Sequence, residues 1–485
     1  MQVQSIKKNY IYNTTFQIVS LLISVITVPY VSRVLGAVGI GKYSFANSIV
    51  SYFVLMAAFG SSAYGTRQIS YYRDTKEKMS EAFWNLFFFR LIATAMMLVL
   101  YFLYLVCYGG VTLLNVILAA NIANVAIDIS WLFQGTEQFR QIAMRNLSVK
   151  ICCAVLVFLL IKAPDDLWLY VLLIVLSNIA GNLVMWLSVN RLIDMPRIVH
   201  PFFDVKGIFA VFLPTIAIQV YMVLDKSMIG FITKSDYENG CYEQAELIAR
   251  VSLTLVTSLG MVVLPRIGNL YNNNEIEKAK EYIYKSYRFV WVIAIPMTAG
   301  LLGIASMLVP VFLGEGYEGA IILLEIFSVL IVVVSLAYIT GLSYLIPTEQ
   351  QNVYTVAVTV AAVVNFLMNL VLIKKYNAVG AAVASVTAET IGLTVQLLYC
   401  IMTGQLESRK IFCSVWKYIT ASGIMLIVVF LMKSRLTTRA GSLIIIIGAA
   451  VIVYTVTIVA LKDAFAIEII NNLKKKICIE SQRDA

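Results

Sequence analysis

Apolar stretches of about 18 residues or more recur along the whole of this 485-residue chain. Each is long enough to cross a hydrocarbon layer about 30 Å thick. Helices and closed barrels are the structures that satisfy their backbone polar groups inside lipid, and stretches of this length read as helices. The chain is therefore expected to be an all-α polytopic membrane protein. Composition agrees: 60% of the residues are hydrophobic and 13% charged, against roughly 45–50% and about 25% in a soluble domain. That apolar surplus is too large for one soluble core.

About fourteen transmembrane helices are predicted, near residues 11–34, 43–65, 83–108, 112–134, 147–161, 168–190, 207–232, 244–264, 287–313, 319–346, 352–373, 378–402, 414–432 and 440–461. Pro29, Pro214 and Pro296 interrupt three of them, which a membrane helix tolerates where neighbours satisfy the freed carbonyls. Lys7 and Lys8 ahead of the first apolar segment imitate a signal peptide. The segment is too long for that and lacks a small-residue cleavage site, so it reads as the first span. An even number of spans puts both termini on one side. With that side cytoplasmic, 25 of the 37 Lys and Arg fall in inner loops and tails and nine in outer loops. The other three, Arg90, Lys226 and Arg250, lie inside spans. Arg67, Arg73, Lys76 and Lys78 share an inner loop, as the positive-inside rule requires. The longest outer loop is expected near 233–246, where Lys234 faces Asp236, Glu238, Glu243 and Glu246.

The chain resembles itself. Gly41–Ala46 and Gly240–Ala245 both read Gly-x-Tyr-x-x-Ala, 199 residues apart, at matching places in two blocks of six spans. The expected organisation is a six-helix bundle over 1–200, a second over 201–405, and two further helices with a cytoplasmic tail over 406–485. Two bundles of like orientation suit alternating access about a central cavity.

Familiar enzymatic constellations are missing from the sequence. Its single His, His200, excludes His-based triads and metal sites. There is no phosphate-binding Gly-rich loop. The seven Cys (Cys107, Cys152, Cys153, Cys241, Cys400, Cys413, Cys478) include no Cys-x-x-Cys pair, so neither a metal site nor a disulfide framework is expected. The net charge of +10 is scattered through short loops, whereas nucleic-acid binding needs a contiguous basic face. No cofactor is expected beyond coupling to H+ or Na+.

Ionisable groups at membrane depth are costly and usually face a cavity or a partner. Arg90 lies about 10 Å from the inner end of its span and either snorkels or binds cargo. Lys226 and Arg250, on consecutive antiparallel spans, are expected to line a cavity at similar depth. Asp225 either neutralises the adjacent Lys226, forms an ion pair with another helix, or takes part in transport. Asp128 is expected to be a helix-packing or a pairing residue, with Arg90 or Arg145 as candidate partners. Glu325 and Glu389 are either proton sites or polar packing residues. Cations in a cavity imply an anionic passenger, and a lipid pyrophosphate suits Arg and Lys. The 27 Tyr suit stacking on sugars, although interfacial belts account for most of them.

The run Pro29–Phe53, with Ala63-Tyr64-Gly65-Thr66-Arg67, resembles the first two helices of the polysaccharide-biosynthesis flippases called Wzx. These belong to a larger superfamily that includes MATE drug exporters and the lipid II flippase. Asp128–Glu137, Leu224–Gly230 and Leu264-Pro265-Arg266 extend the likeness. It implies two V-shaped bundles, often with two extra helices, a cationic central cavity, and export of undecaprenyl-pyrophosphate-linked repeat units. Arg33, Arg67, Asp225 and Lys226 fall on its motif positions. Arg33, with Lys42, sits at the expected outer mouth, where it either binds cargo or anchors the loop. After Pro347 this chain departs from the pattern with Thr348-Glu349-Gln350. The implied setting is a bacterial cytoplasmic membrane, with the lipid-linked oligosaccharide, membrane lipids, and the pathway's polymerase and glycosyltransferases as partners. Rival readings are a cation-coupled multidrug exporter of the MATE type, favoured by Glu325 and Glu389, and a membrane enzyme acting through carboxylates.

Overall fold

A computed structural model of the chain describes residues 6–196 and 198–468, so Cys478 and the end of the tail lie outside the described residues. The described backbone is helical apart from turns and short connections, with no strand. Ten of its helices are long and apolar enough to cross a membrane. The chain falls into two compact units, Met1–Gly240 and Cys241–Ala485.

The first unit holds α1 (Ile6–Ala58), α2 (Ser61–Tyr72), α3 (Lys76–Tyr104), α4 (Leu113–Ile127), α5 (Ser130–Gly135), α6 (Phe139–Leu160), α7 (Leu167–Trp186), α8 (Val205–Thr233) and the start of α9 (Asp236–Asn272). Between the first two predicted spans a loop was expected. Two helical stretches instead meet directly at a kink at Gly36, whose φ of 68° and ψ of 171° lie outside the helical range. A residue without Cβ adopts that geometry at little cost.

Two further corrections concern α4, α5 and α9. The predicted span over 112–134 is broken at Asp128 and Ile129 into α4 and α5. The Asp128 carboxylate accepts from the Ser130 amide at 3.0 Å, a local bond that competes with helix continuation. Carbonyls freed by the break find side-chain donors. Arg90 donates to Val125 O at 2.7 Å and the Trp186 indole to Ile127 O at 2.8 Å. The long outer loop expected near 233–246 is also absent. Lys234 turns the chain at φ 52°, and α9 starts at Asp236. The Ser235 hydroxyl accepts from the Glu238 amide at 3.3 Å, and Asp236 and Glu238 occupy the first turn. Both features favour a helix start there.

Two of the segments carrying the family likeness, Ala63–Arg67 and Asp128–Glu137, pack on each other. Buried Trp131 on α5 stacks on Phe83 at 5.1 Å and lies against Gly65 of α2. Arg73 pairs with Glu137 at 2.8 Å across the same contact.

The second unit continues with α10 (Ile276–Phe312), α11 (Gly319–Thr340), α12 (Gln351–Met402), α13 (Ser408–Ile411), α14 (Val415–Lys433) and α15 (Ala440–Ala460). Predicted spans eleven and twelve are merged into α12 across a sharp kink at Asn377 (φ 51°, ψ −135°), where a loop at Lys374–Lys375 was expected. Helices α14 and α15 pack on α10 through Met307, Met425, Val429 and Ile446. Pro296 cannot donate to the Val292 carbonyl. Tyr454 of α15 does so at 2.7 Å.

Candidate functional site

Several polar side chains of the first unit form a seam between α2, α3 and α4. At its centre is Arg90, a residue of α3 only 2% exposed. Its guanidinium reaches Val125 O at 2.7 Å, Ser62 Oγ at 3.4 Å and Asp128 Oδ2 at 3.8 Å. Of the two partners expected for Asp128, Arg90 is the one in ion-pair range.

Ser62 belongs to the wall of a cleft of about 380 Å³ between α1, the start of α2 and α8. Its other polar walls are Ser51, Tyr52 and Gln219. The Tyr52 hydroxyl exchanges a 2.7 Å hydrogen bond with Ser227, the residue after Asp225 and Lys226. Asp225 is buried, Lys226 half-buried.

Beyond Asp128 lies a second cleft of about 310 Å³ between α4, α6 and α7, lined by Asp128, Arg145, Lys150, Asn124, Asn178 and Asn182 among others. Arg145 donates to Asn146 Oδ1 at 2.8 Å and to Asn182 Oδ1 at 2.6 Å, and Asn182 donates to Asn124 Oδ1 at 2.9 Å. The amides thus hold the guanidinium where the cleft can use it. Reading single charges missed this network. Four Asn within or beside apolar spans were the available signal, because amides at that depth need partners.

The remaining expected residues lie on other elements of the two units. Arg67 is exposed on α2, its guanidinium 5.3 Å over the Tyr64 ring. Arg33 is exposed on α1. Lys226 belongs to the first unit and Arg250 to the second. Arg250 gives two hydrogen bonds to Glu246 Oε1, at 2.8 and 2.6 Å, with its side chain about half exposed. Its charge is therefore shared with its own helix. Glu325 on α11 and Glu389 on α12 are each half-buried in the second unit. One further tie was unforeseen: Tyr64 donates to Asp204 at 2.6 Å, fastening α2 to the start of α8.

With this geometry in view, the likenesses to known proteins are informative. Residues 6–271 match the model of a family described as "Polysaccharide biosynthesis protein". An Escherichia coli (strain K12) protein named "Putative O-antigen transporter" is 23% identical over 403 residues, 81% of this chain and 96% of that protein. Among solved structures, the lipid II flippase MurJ in an inward closed conformation gives a TM-score of 0.74 at 16% identity, covering 93% of this chain and 97% of the other. An inward-facing multidrug resistance MATE family transporter of the MOP superfamily gives 0.57 at 14% identity, over 79% and 94%. At such identities the structural likeness establishes the fold.

Proposed function

The chain belongs to the polysaccharide biosynthesis protein family, and from that premise we propose that it is a flippase carrying undecaprenyl-pyrophosphate-linked oligosaccharides across a bacterial cytoplasmic membrane. Its relatives bear transporter and flippase names, and its fold is that of a lipid flippase. The observation that carries the reading is the polar seam through Arg90. Two clefts, one of mixed lining beside Ser62 and one rich in polar side chains beside Asp128, flank a buried guanidinium among membrane-length helices, at a depth where an ionisable group usually faces a cavity or a partner.

In this reading both termini and the end bearing Arg67, Arg73 and Lys76 face the cytoplasm. The glycan enters there, its phosphates attracted by Arg145 and Lys150 and then by Lys226 and Arg250, while the prenyl tail stays in lipid. Arg90 acts behind the wall, fixing Ser62 and Asp128. Two six-helix halves, assisted by α14 and α15, alternate between inward and outward states. Cargo biases those states only through its differential affinity for them. Net export therefore draws on an H+ or Na+ gradient, with Asp225, Glu325 and Glu389 as candidate carriers, or on removal of product by a polymerase.

Depletion of the protein tests the proposal directly. Lipid-linked oligosaccharide should accumulate where externally added periodate cannot oxidise it, and surface polysaccharide should vanish. A MATE-type exporter, the rival that the shared fold keeps open, would leave the glycan untouched and sensitise cells to cationic dyes.

A further inference from the structure

The first unit contains a third and larger cavity, of about 770 Å³, at the end opposite Arg67 and Arg73. That volume is in the range of small-ligand sites. One wall is an aromatic ladder. Tyr101, Tyr104 and Tyr108 climb one face of α3 and the π-helical turn Leu105–Gly109, with successive ring centroids 6.4 Å apart and planes within 27° and 24°. Buried Tyr101 anchors it by donating to Asn115 O at 3.1 Å, and Tyr108 at the top is 86% exposed. Trp168, 44% exposed at the start of α7, lines the same space. The π-helical turn ends α3 and sets the last ring of the ladder.

The remaining polar wall supplies Lys42 and Lys234 together with Asp165 and Asp236. Two ammonium groups and two carboxylates give little net field, so this is a poor trap for a pyrophosphate. It does offer both donors and acceptors around flat apolar faces. A pyranose matches that pattern, with a C–H face for aromatic rings and hydroxyls at its rim for charged and amide groups. We propose that this cavity is a glycan-binding site that takes the sugar portion of the cargo, separately from the cations that take its phosphates. The inference rests on the flippase reading. With the orientation given above, the site lies on the outer side and holds the oligosaccharide after it has crossed.

The test uses full-length protein in lipid nanodiscs. Its probe is the water-soluble oligosaccharide released by mild acid from the host's own lipid-linked pool, followed by Trp fluorescence and saturation-transfer NMR. The wild type should bind this lipid-free glycan. A Tyr108→Ala/Trp168→Ala variant, altered at two exposed side chains, should bind at least tenfold more weakly while eluting as folded protein. A Cys107→Ser variant, changed beside the ladder rather than on it, should bind as the wild type does. Equal binding by wild type and the double variant overturns the site, as does saturation transfer to lipid headgroups rather than sugar. If depletion abolishes surface polysaccharide and the free glycan does not bind, the site fails and the flippase reading stands. If depletion leaves surface polysaccharide intact, the flippase reading fails with it.

Discussion

At the scale of single residues, Arg90 is the most consequential side chain described. The sequence marks it as a charge at membrane depth and names Asp128 as a partner. It does not show that the guanidinium also replaces a helical amide at Val125 O. That bond depends on α4 stopping where it does, which is a property of two helices together. Arg90→Ala would leave the carbonyl and the Asp128 carboxylate without this donor. Breaking a buried pair costs about 3–5 kcal/mol, and the lower figure applies because Asp128 keeps some exposure. The variant should lose thermal stability in detergent by that order. Arg90→Lys should recover part of the loss, since a compact ammonium keeps the charge but lacks the planar fork that reaches acceptors on different sides. A wild-type melting curve for Arg90→Ala would remove the seam's central tie.

At the scale of helices, the chain solves its breaks by lending side chains across neighbours. The Tyr454 bond to the carbonyl freed by Pro296 joins α15 to α10. Tyr454→Phe should therefore cost about 1–3 kcal/mol, the penalty for an orphaned buried acceptor, measurable as a lowered unfolding midpoint. A contrasting joint lies in the first unit, where Gly41 of α1 and Gly240 at the start of α9 stand against each other. A Cβ on Gly41 would collide with the Asp236 carbonyl, and one on Gly240 with the Ala37 carbonyl. These are the first residues of the two Gly-x-Tyr-x-x-Ala copies, so the repeat marks a place where backbones touch. Gly240→Ala should force the helices apart, lowering export of surface polysaccharide while membrane insertion, judged by fractionation, stays normal. Unchanged export would mean that the close approach carries no functional constraint.

At the scale of the whole molecule, orientation is the property most open to test. Exposed Cys107 lies beside the aromatic ladder, at the end read as outer. A membrane-impermeant maleimide added to intact spheroplasts should label it, and Cys107→Ser should remove that labelling. Labelling that appears only after permeabilisation would invert the assignment of sides. Helicity, membrane residence and family were legible from the chain alone, because apolar run length and local motifs are properties of consecutive residues. The bends at Gly36 and Asn377, the break at Asp128 and the early start of α9 were not legible as such. Each depends on which neighbour supplies a donor or leaves room for a backbone. For the candidate site, the charges inside spans led to the expectation of an anionic passenger, and the family likeness to that of a glycan. Which cations are enclosed, as Arg90 is, and which face open space, as Lys42 and Lys234 do, is set by packing between helices distant in the chain.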